Sequence, residues 1–447
     1  MERPNCLALL TDLYELTMAQ GYFQSSKFEP ATFSLFIRSY PPNRGYFVSA
    51  GLEDVLNFLS EFYFDQGAVD YLHSKRIFAD EFLDFLKGVR FTGEVWAIPE
   101  GRLFFKDEPI LEITAPIIEA QIVETFVINQ VHLQTLIATK AARCVHAARG
   151  RGVVDFSFRR TQGIDAGMKA ARSSYLTGFD GTSNVLAGKR YGIPIVGTMA
   201  HSFVSSFKHE IDAFRSFVKS FPENSILLID TYNTLEGAKN AVIIAQEMVK
   251  RGQRFKGVRI DSGDLLLQAR EVRRIFDEAG LTDVKIIGSG GLDEYDLEAL
   301  SNANAPYGSY GVGTKMGVSG DAPWCDMAYK LVEYGGRPVL KLSTGKVSSP
   351  GKRQVFRFVD GQGRLQRDVL ALRDESFSNS EPLLKKVMEN GRAEISYPTL
   401  KEIQEGFLDE FSRLDDRSKE IVNPPNYPVE ISSKLKRLKR EIEQHLA

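Results

Sequence analysis

Between residues 152 and 315, short apolar runs alternate with helical patterns, and no other feature narrows the possible folds as far. Runs at 153–156, 226–229, 257–260, 285–287 and 310–312, together with Ile193-Pro194-Ile195-Val196, have the length and composition of buried strands. Helical periodicity fills 167–174, 203–220, 234–251, 263–279 and 294–303 between them. A strand that pairs in parallel with another needs a long crossover, usually a helix. The alternation therefore predicts a parallel α/β sheet, closed as a barrel or left open. Six units do not reach the eight of a complete barrel.

Parallel strands put their C-terminal ends on one face, where α/β barrels carry their chemistry. Every run here ends in residues suited to it. Arg159 and Arg160 follow the first, Thr198 and His201 the second, and Asp230-Thr231 the third. Asp261-Ser262-Gly263-Asp264 follows the fourth, Gly288-Ser289-Gly290-Gly291 the fifth, and Gly313-Thr314-Lys315 the sixth. This recurrence is more specific than any one motif.

His201 is one of six histidines and lies in Gly197-Thr198-Met199-Ala200-His201-Ser202-Phe203. Neutral imidazole can act as a base or accept a phosphoryl group, with Thr198, Ser202 and Ser205 as nearby donors. The competing reading is a packed core histidine or a helix-start residue. Ser289-Gly290-Gly291 and Gly313-Thr314 form glycine turns whose exposed N–H groups suit a phosphate. Two ordinary tight loops are the alternative, and neither turn is a nucleoside-triphosphate or dinucleotide fingerprint. Asp261 can hold ribose hydroxyls or Mg²⁺, and Arg259 an anion in bidentate fashion; an internal Arg–Asp pair with a cap at Ser262 or Asp264 is the plainer reading. Phe156 and Phe158 share a strand face in this register, so a planar ligand can stack there while Arg159 holds an anion. Core phenylalanines with solvated arginines fit equally well. The turn 177–184 reads as a helix start capped at Ser183.

The rest of the chain predicts a helix from Thr11 or Asp12, a strand over 31–38, helices over 52–64 and 81–86, a hairpin over 101–116 and helices over 117–148. A strand and turn follow at 351–363, and a charged helix over 432–447. With 447 residues, two or three domains are expected: 1–150, 151–345 and an extension over 346–447. Net charge of −2 gives no support for nucleic-acid or membrane-surface binding. Cys6, Cys144 and Cys325 are far apart, without a CxxC pair, as expected of a cytoplasmic protein. No secretory leader or apolar membrane span is read.

Five stretches together resemble nicotinate phosphoribosyltransferase: residues 11–18 (TDLYELTM), 158–163 (FRRTQG), 178–188 (GFDGTSNVLAG), 197–203 (GTMAHSF) and 259–264 (RIDSGD). The resemblance spans about 7–345. It implies a type II phosphoribosyltransferase fold: an N-terminal α/β domain, an incomplete α/β barrel, and a homodimer with shared active sites. The implied reaction joins nicotinate to 5-phosphoribosyl 1-pyrophosphate, coupled to ATP hydrolysis through a phosphohistidine and assisted by Mg²⁺ carried with the diphosphate, in NAD salvage. By resemblance, His201 is the phosphorylated residue, and Tyr14 reaches in from the partner subunit to stack on the pyridine ring opposite Phe156. Thr198 and Arg259 contact nicotinate or the ribosyl donor, and Arg159 holds the donor's phosphates. Asp261 binds ribose hydroxyls, and Asp230 lies among the substrate-binding residues. Ser289, Gly290, Gly291, Gly313 and Thr314 bind the 5′-phosphate. Ser183 stands where the nicotinamide-using relative has an aspartate, which favours a carboxylate substrate. The C-terminal extension lacks the cysteine knuckle of some members, so no zinc is expected. Quinolinate phosphoribosyltransferase and a non-catalytic phosphate-ligand binding protein are the alternative readings.

Overall fold

The structure, a computed structural model, describes residues 7–341, 349–394 and 396–446. The chain divides into two compact units, Ile137–Pro323 and a second made of Met1–Leu136 with Trp324–Ala447.

The middle unit holds six parallel strands: β1 (Gly152–Asp155), β2 (Gly181–Thr182), β3 (Ile226–Leu228), β4 (Gly257–Ile260), β5 (Lys285–Gly288) and β6 (Ser309–Val312). Their order is β2-β1-β6-β5-β4-β3, and every pair is parallel. Val153, Leu227, Val258, Ile260, Ile286 and Val312 are buried, which is the apolar content the runs promised. Helices Ile164–Tyr175, Thr234–Lys250, Leu265–Glu278 and Glu294–Asn302 carry the chain between strands. Three of the loops end in a capping side chain: Asn233, Asp264 and Asp293 each accept from backbone N–H groups of the following helix.

Three expectations change here. Residues 193–196 do not form a strand; Ile195 makes a single parallel bridge to Thr182. Pro194 has no N–H to give a ladder, and only its carbonyl is used, accepting from Thr182 N at 3.0 Å. The strand that does pair with β1 is the two-residue β2, inside what reads as a polar turn. The stretch 203–220 is two helices, His201–Ser205 and Glu210–Ser220, because the Ser206 hydroxyl bonds back to the Phe203 carbonyl at 2.7 Å and the chain turns.

The other unit is built from both chain ends. Its seven-stranded sheet runs Arg337–Pro338, Met327–Tyr334, Pro30–Ile37, Pro109–Pro116, Glu94–Ala97, Lys385–Glu389, Arg392–Ala393. The segment boundaries of 150 and 345 therefore do not coincide with the compact units. The helix Glu124–Ala148 crosses residue 136, and the C-terminal extension completes a sheet begun by the N-terminus. The expected hairpin over 101–116 is absent. Leu103–Phe104 pairs with Phe47–Val48, while Pro109–Pro116 lies between Pro30–Ile37 and Glu94–Ala97. Asp107, with φ of 67°, turns the chain between them and donates its N–H to the Ile37 carbonyl at 2.8 Å. Among the described residues, no helix is long and apolar enough to cross a membrane.

Candidate active site

The strand ends of the middle unit carry two polar networks, one at β1 and β2 and one across β3, β4 and β5. Asp155 ends β1 fully buried; its Oδ1 accepts from Ser157 N at 2.8 Å and its Oδ2 from the Thr182 hydroxyl at 2.7 Å. Asp155 thus fixes the β1–β2 edge. Asp230, just beyond β3, reaches across to the end of β4. Its Oδ2 accepts from Asp261 N at 3.0 Å and from the Ser262 hydroxyl at 2.6 Å. Asp261 in turn accepts at Oδ1 from the Ser289 hydroxyl at 2.6 Å. Three neighbouring strands are therefore tied through two carboxylates and two hydroxyls, with the remaining carboxylate oxygens left for something else.

Arg259 on β4 donates from Nη2 to the Met199 carbonyl at 2.7 Å, and its guanidinium lies 5.9 Å from the centre of the Phe156 ring. Burial lowers its pKa from the ordinary arginine value, opposed by the nearby Asp261 and Asp230. Phe156 is pressed against β6: a Cβ on Gly311 would lie 2.5 Å from its ring, so glycine is required there. Gly290 has φ of 99°, and a Cβ on it would meet the Asp261 carbonyl oxygen at 1.8 Å. Gly291 has φ of 74° and open space around it. Gly313 precedes the short helix Thr314–Gly317, and Arg160 reaches the Thr314 hydroxyl at 3.4 Å.

His201 opens the helix His201–Ser205 and is half-buried. Its Nδ1 lies 3.2 Å from the Thr231 hydroxyl. Of the hydroxyls expected to serve a phosphoryl group there, Ser205 bonds to the His201 backbone carbonyl at 2.9 Å. Thr231, expected from the sequence only as a strand-end residue beside Asp230, is the group that orients the ring. When Thr231 accepts from Nδ1–H, the lone pair lies on Nε2.

Four buried polar atoms near these strand ends have no hydrogen-bond partner: Ser157 Oγ past β1 and, around β3 and β4, the three atoms Thr198 Oγ1, Asp230 Oδ1 and Arg259 Nε. Buried polar groups are normally satisfied, so three together mark a ligand site. The carboxylate of Asp230 offers a hard oxygen of the kind Mg²⁺ takes, so the residues present fit that ion.

Other expected residues are placed differently. Phe158 is not on a strand face with Phe156; β1 ends at Asp155 and Phe158 sits in the 3-10 turn Phe158–Arg160, against Gly167. Arg159 and Ser183 are exposed. Ser183 N donates to the Asp155 carbonyl at 2.8 Å, and the helix cap is Asn184, whose Oδ1 accepts from Ala187 N at 3.1 Å. Asp264, of the two capping candidates beyond Asp261, is the one that caps. Tyr14 belongs to the other unit, half-exposed on the helix Leu13–Gln24.

Three domain families match: the nicotinate phosphoribosyltransferase (NAPRTase) N-terminal domain over 9–132, the NAPRTase family over 152–348 and the C-terminal domain over 376–439. Nicotinate phosphoribosyltransferase pncB2 of Mycobacterium tuberculosis is 47% identical over 432 residues, covering 96% of this chain and 92% of that protein. The Bacillus subtilis nicotinate phosphoribosyltransferase is 36% identical, covering 96% and 94%. The crystal structure of human nicotinic acid phosphoribosyltransferase superposes with a TM-score of 0.87 at 30% identity, covering 97% of this chain and 99% of that one. Nicotinate-nucleotide pyrophosphorylase from Pyrococcus furiosus gives 0.75 at 26% identity, covering 92% and 99%. With this incomplete parallel barrel, these strand-end residues and relatives matched over nearly their full length, the chain belongs to the nicotinate phosphoribosyltransferase family.

Proposed function

We propose that the protein condenses nicotinate with 5-phosphoribosyl 1-pyrophosphate, giving nicotinate mononucleotide and pyrophosphate, and couples this to ATP hydrolysis through His201. The observation that carries the reading is the orientation of His201 by Thr231 beside three unsatisfied polar atoms. Nε2 of His201 attacks the γ-phosphorus of ATP, releasing ADP, and water later takes the phosphoryl group as inorganic phosphate.

The pyridine nitrogen is itself a nucleophile, so the residues act by positioning more than by base catalysis. Breaking the bond from ribose C1 to diphosphate builds positive charge on the sugar and negative charge on the leaving group. Mg²⁺ carried with the diphosphate neutralises that negative charge when bound. Asp230, through its free Oδ1, would hold the ion. Asp261 is oriented by Ser289 to accept from ribose hydroxyls, and Arg159, exposed at the strand end, takes the donor's phosphates. Ser289, Gly290, Gly291, Gly313 and Thr314 form the 5′-phosphate cradle. Phe156, held by Arg259 and Gly311, offers one aromatic face to nicotinate, with Thr198 at its edge. Tyr14 of a second subunit supplies the opposite face, which makes the working unit a homodimer. Ser183 leaves room and no charge against a carboxylate, which favours nicotinate over nicotinamide.

Incubation with ATP labelled at the γ-phosphate should put acid-labile label on the wild-type protein and none on His201→Asn. Equal labelling of both proteins excludes His201 as the carrier.

A further inference from the structure

Tyr14 stands over a carboxyl pair that has no bonded cation. Glu15 is fully buried, and its Oε2 accepts from Gln121 Nε2 at 2.5 Å. The same amide nitrogen donates to Glu124 Oε2 at 3.1 Å. Glu15 Oε1 is buried with no partner. A single amide thus bridges two acids, one of them wholly removed from water. Such an arrangement does not hold two negative charges well, since a buried carboxylate needs a cation or several donors.

The charged and titratable groups around the pair are few. Asp12, Tyr14 and Tyr22 face it from the first helix and its cap, and Tyr329 and Lys330 from the strand Met327–Tyr334. Hydrogen bonding by the Tyr14 phenol and by Gln121 favours ionisation of both acids, as does Lys330 from a distance, while Asp12 opposes it at Glu15; burial outweighs them. Burial raises both carboxyls, and burial together with Glu15 raises Glu124 to about 7. The Tyr14 phenol is pushed up by burial and by the carboxyls Glu15, Glu124 and Asp12.

Glu124 also lines the cavity of about 360 Å³ that contains Tyr14. Asn129 and His132 line it too. His132 Nε2 accepts from Cys325 N at 3.0 Å, and burial lowers its pKa, so it is neutral there. Nothing cationic on that wall offsets a charge on Glu124.

We propose that Glu15 and Glu124, bridged by the two donors of the Gln121 amide, retain one carboxyl proton between them, and that losing it puts a further negative charge beside Tyr14 that repels a carboxylate ligand stacked there. Glu124 is then a positioning and specificity residue acting through the Tyr14 cavity, with no contact to the reacting atoms. The inference rests on the reading of Tyr14 as the face that receives nicotinate.

The test is the nicotinate KM of the full-length enzyme from pH 6 to pH 8, for wild type, Glu124→Gln and Tyr14→Ala. If only the protonated pair binds well, the wild-type KM rises about tenfold across that range. Glu124→Gln, which keeps a hydrogen-bonding side chain but cannot ionise, should hold the low-pH KM throughout with kcat unchanged. Inhibition by nicotinamide, which carries no charge, should be flat with pH in both proteins. Tyr14→Ala should raise the nicotinate KM at every pH. A Glu124→Gln profile that still rises like wild type, with Tyr14→Ala impaired, overturns the shared proton and leaves the Tyr14 reading standing. A Tyr14→Ala enzyme with wild-type KM at all pH overturns both.

Discussion

Two adjacent glycines show how differently a single residue can matter at the strand ends. Gly290 and Gly291 both have positive φ, yet a Cβ on Gly290 would overlap the Asp261 carbonyl while one on Gly291 meets nothing. Alanine at 291 should cost only about 1 kcal/mol of backbone strain. Alanine at 290 must also push Asp261 and its Ser289 bond out of place. The expected result is a ribosyl-donor KM raised at least about tenfold in Gly290→Ala, with a lowered Tm, and a smaller KM rise with little change in Tm in Gly291→Ala. Steady-state kinetics with thermal melts of both variants checks it. At this scale the sequence was legible where chemistry and chain position coincide. Asp230, Arg259, Asp261 and the glycine turns sit at strand ends, as the alternation requires, whereas His201 opens a helix after a run, 193–196, that forms no strand. Thr231 was not legible, because a hydroxyl next to Asp230 has no pattern that says it will face an imidazole thirty residues earlier. Asp155 was legible only as a strand residue, and its clamp on Thr182 depends on β2, which two residues cannot announce.

Strands and helices of the C-terminal extension meet at a buried charge cluster. Arg357 on the strand Arg353–Val359 is 2.6 Å from Asp368 on Leu365–Leu372 and 2.6 Å from Glu410 on the helix Leu400–Arg413. Arg102 adds a second cation 2.9 Å from Glu410. Burial works against ionised Glu410, but Arg357 and Arg102 outweigh it and hold the carboxyl below its ordinary pKa. A depressed carboxyl contributes stability above its unfolded pKa and loses it as pH falls through the folded value. Arg357→Met should therefore cost about 3–5 kcal/mol at neutral pH by stranding the buried Asp368 carboxylate and leaving Glu410 to Arg102 alone. The penalty should shrink at acid pH, as Glu410, no longer held down by Arg357, takes a proton instead. Denaturant unfolding at pH 7.5 and pH 5 measures the difference; an equal penalty at both would mean that lost packing, not charge, is responsible. The helix Leu400–Arg413 itself escaped sequence reading, although its capping box of Thr399 and Glu402 was there to be found. The hairpin over 101–116 failed for another reason. The two apolar runs were rightly seen, but pairing partners more distant in sequence won, as long strands with large buried faces outweigh a local turn.

The molecule as a whole sets who completes the active site. Tyr14 lies in the unit built from both chain ends, and His201 in the middle unit. If Tyr14 serves a neighbour's site, mixed dimers of Tyr14→Ala and His201→Asn will contain one intact site. Equal mixing of the two impaired proteins, after dissociation and reassembly and at nicotinate too low to saturate Tyr14→Ala, should then give about one quarter of wild-type activity. No recovery on mixing would put Tyr14 and His201 of one subunit in the same site. The fold class was legible at this scale because a parallel sheet needs crossovers of regular length. The division into units was not, since a boundary drawn along the sequence cannot show that residues near both termini share a sheet.

That shared sheet has a consequence for how the chain is made. Strand Glu94–Ala97 pairs with Lys385–Glu389, and Pro30–Ile37 with Met327–Tyr334. As the polypeptide leaves the ribosome at roughly 5–20 residues per second, the N-terminal strands wait on the order of tens of seconds for their neighbours. The middle unit has all its strands in hand well before that. It should mature first, while the early strands keep an unfilled edge that attracts other chains. Nascent chains are therefore most in need of a chaperone during the interval between residues 97 and 385, and slow translation there is where aggregates would begin.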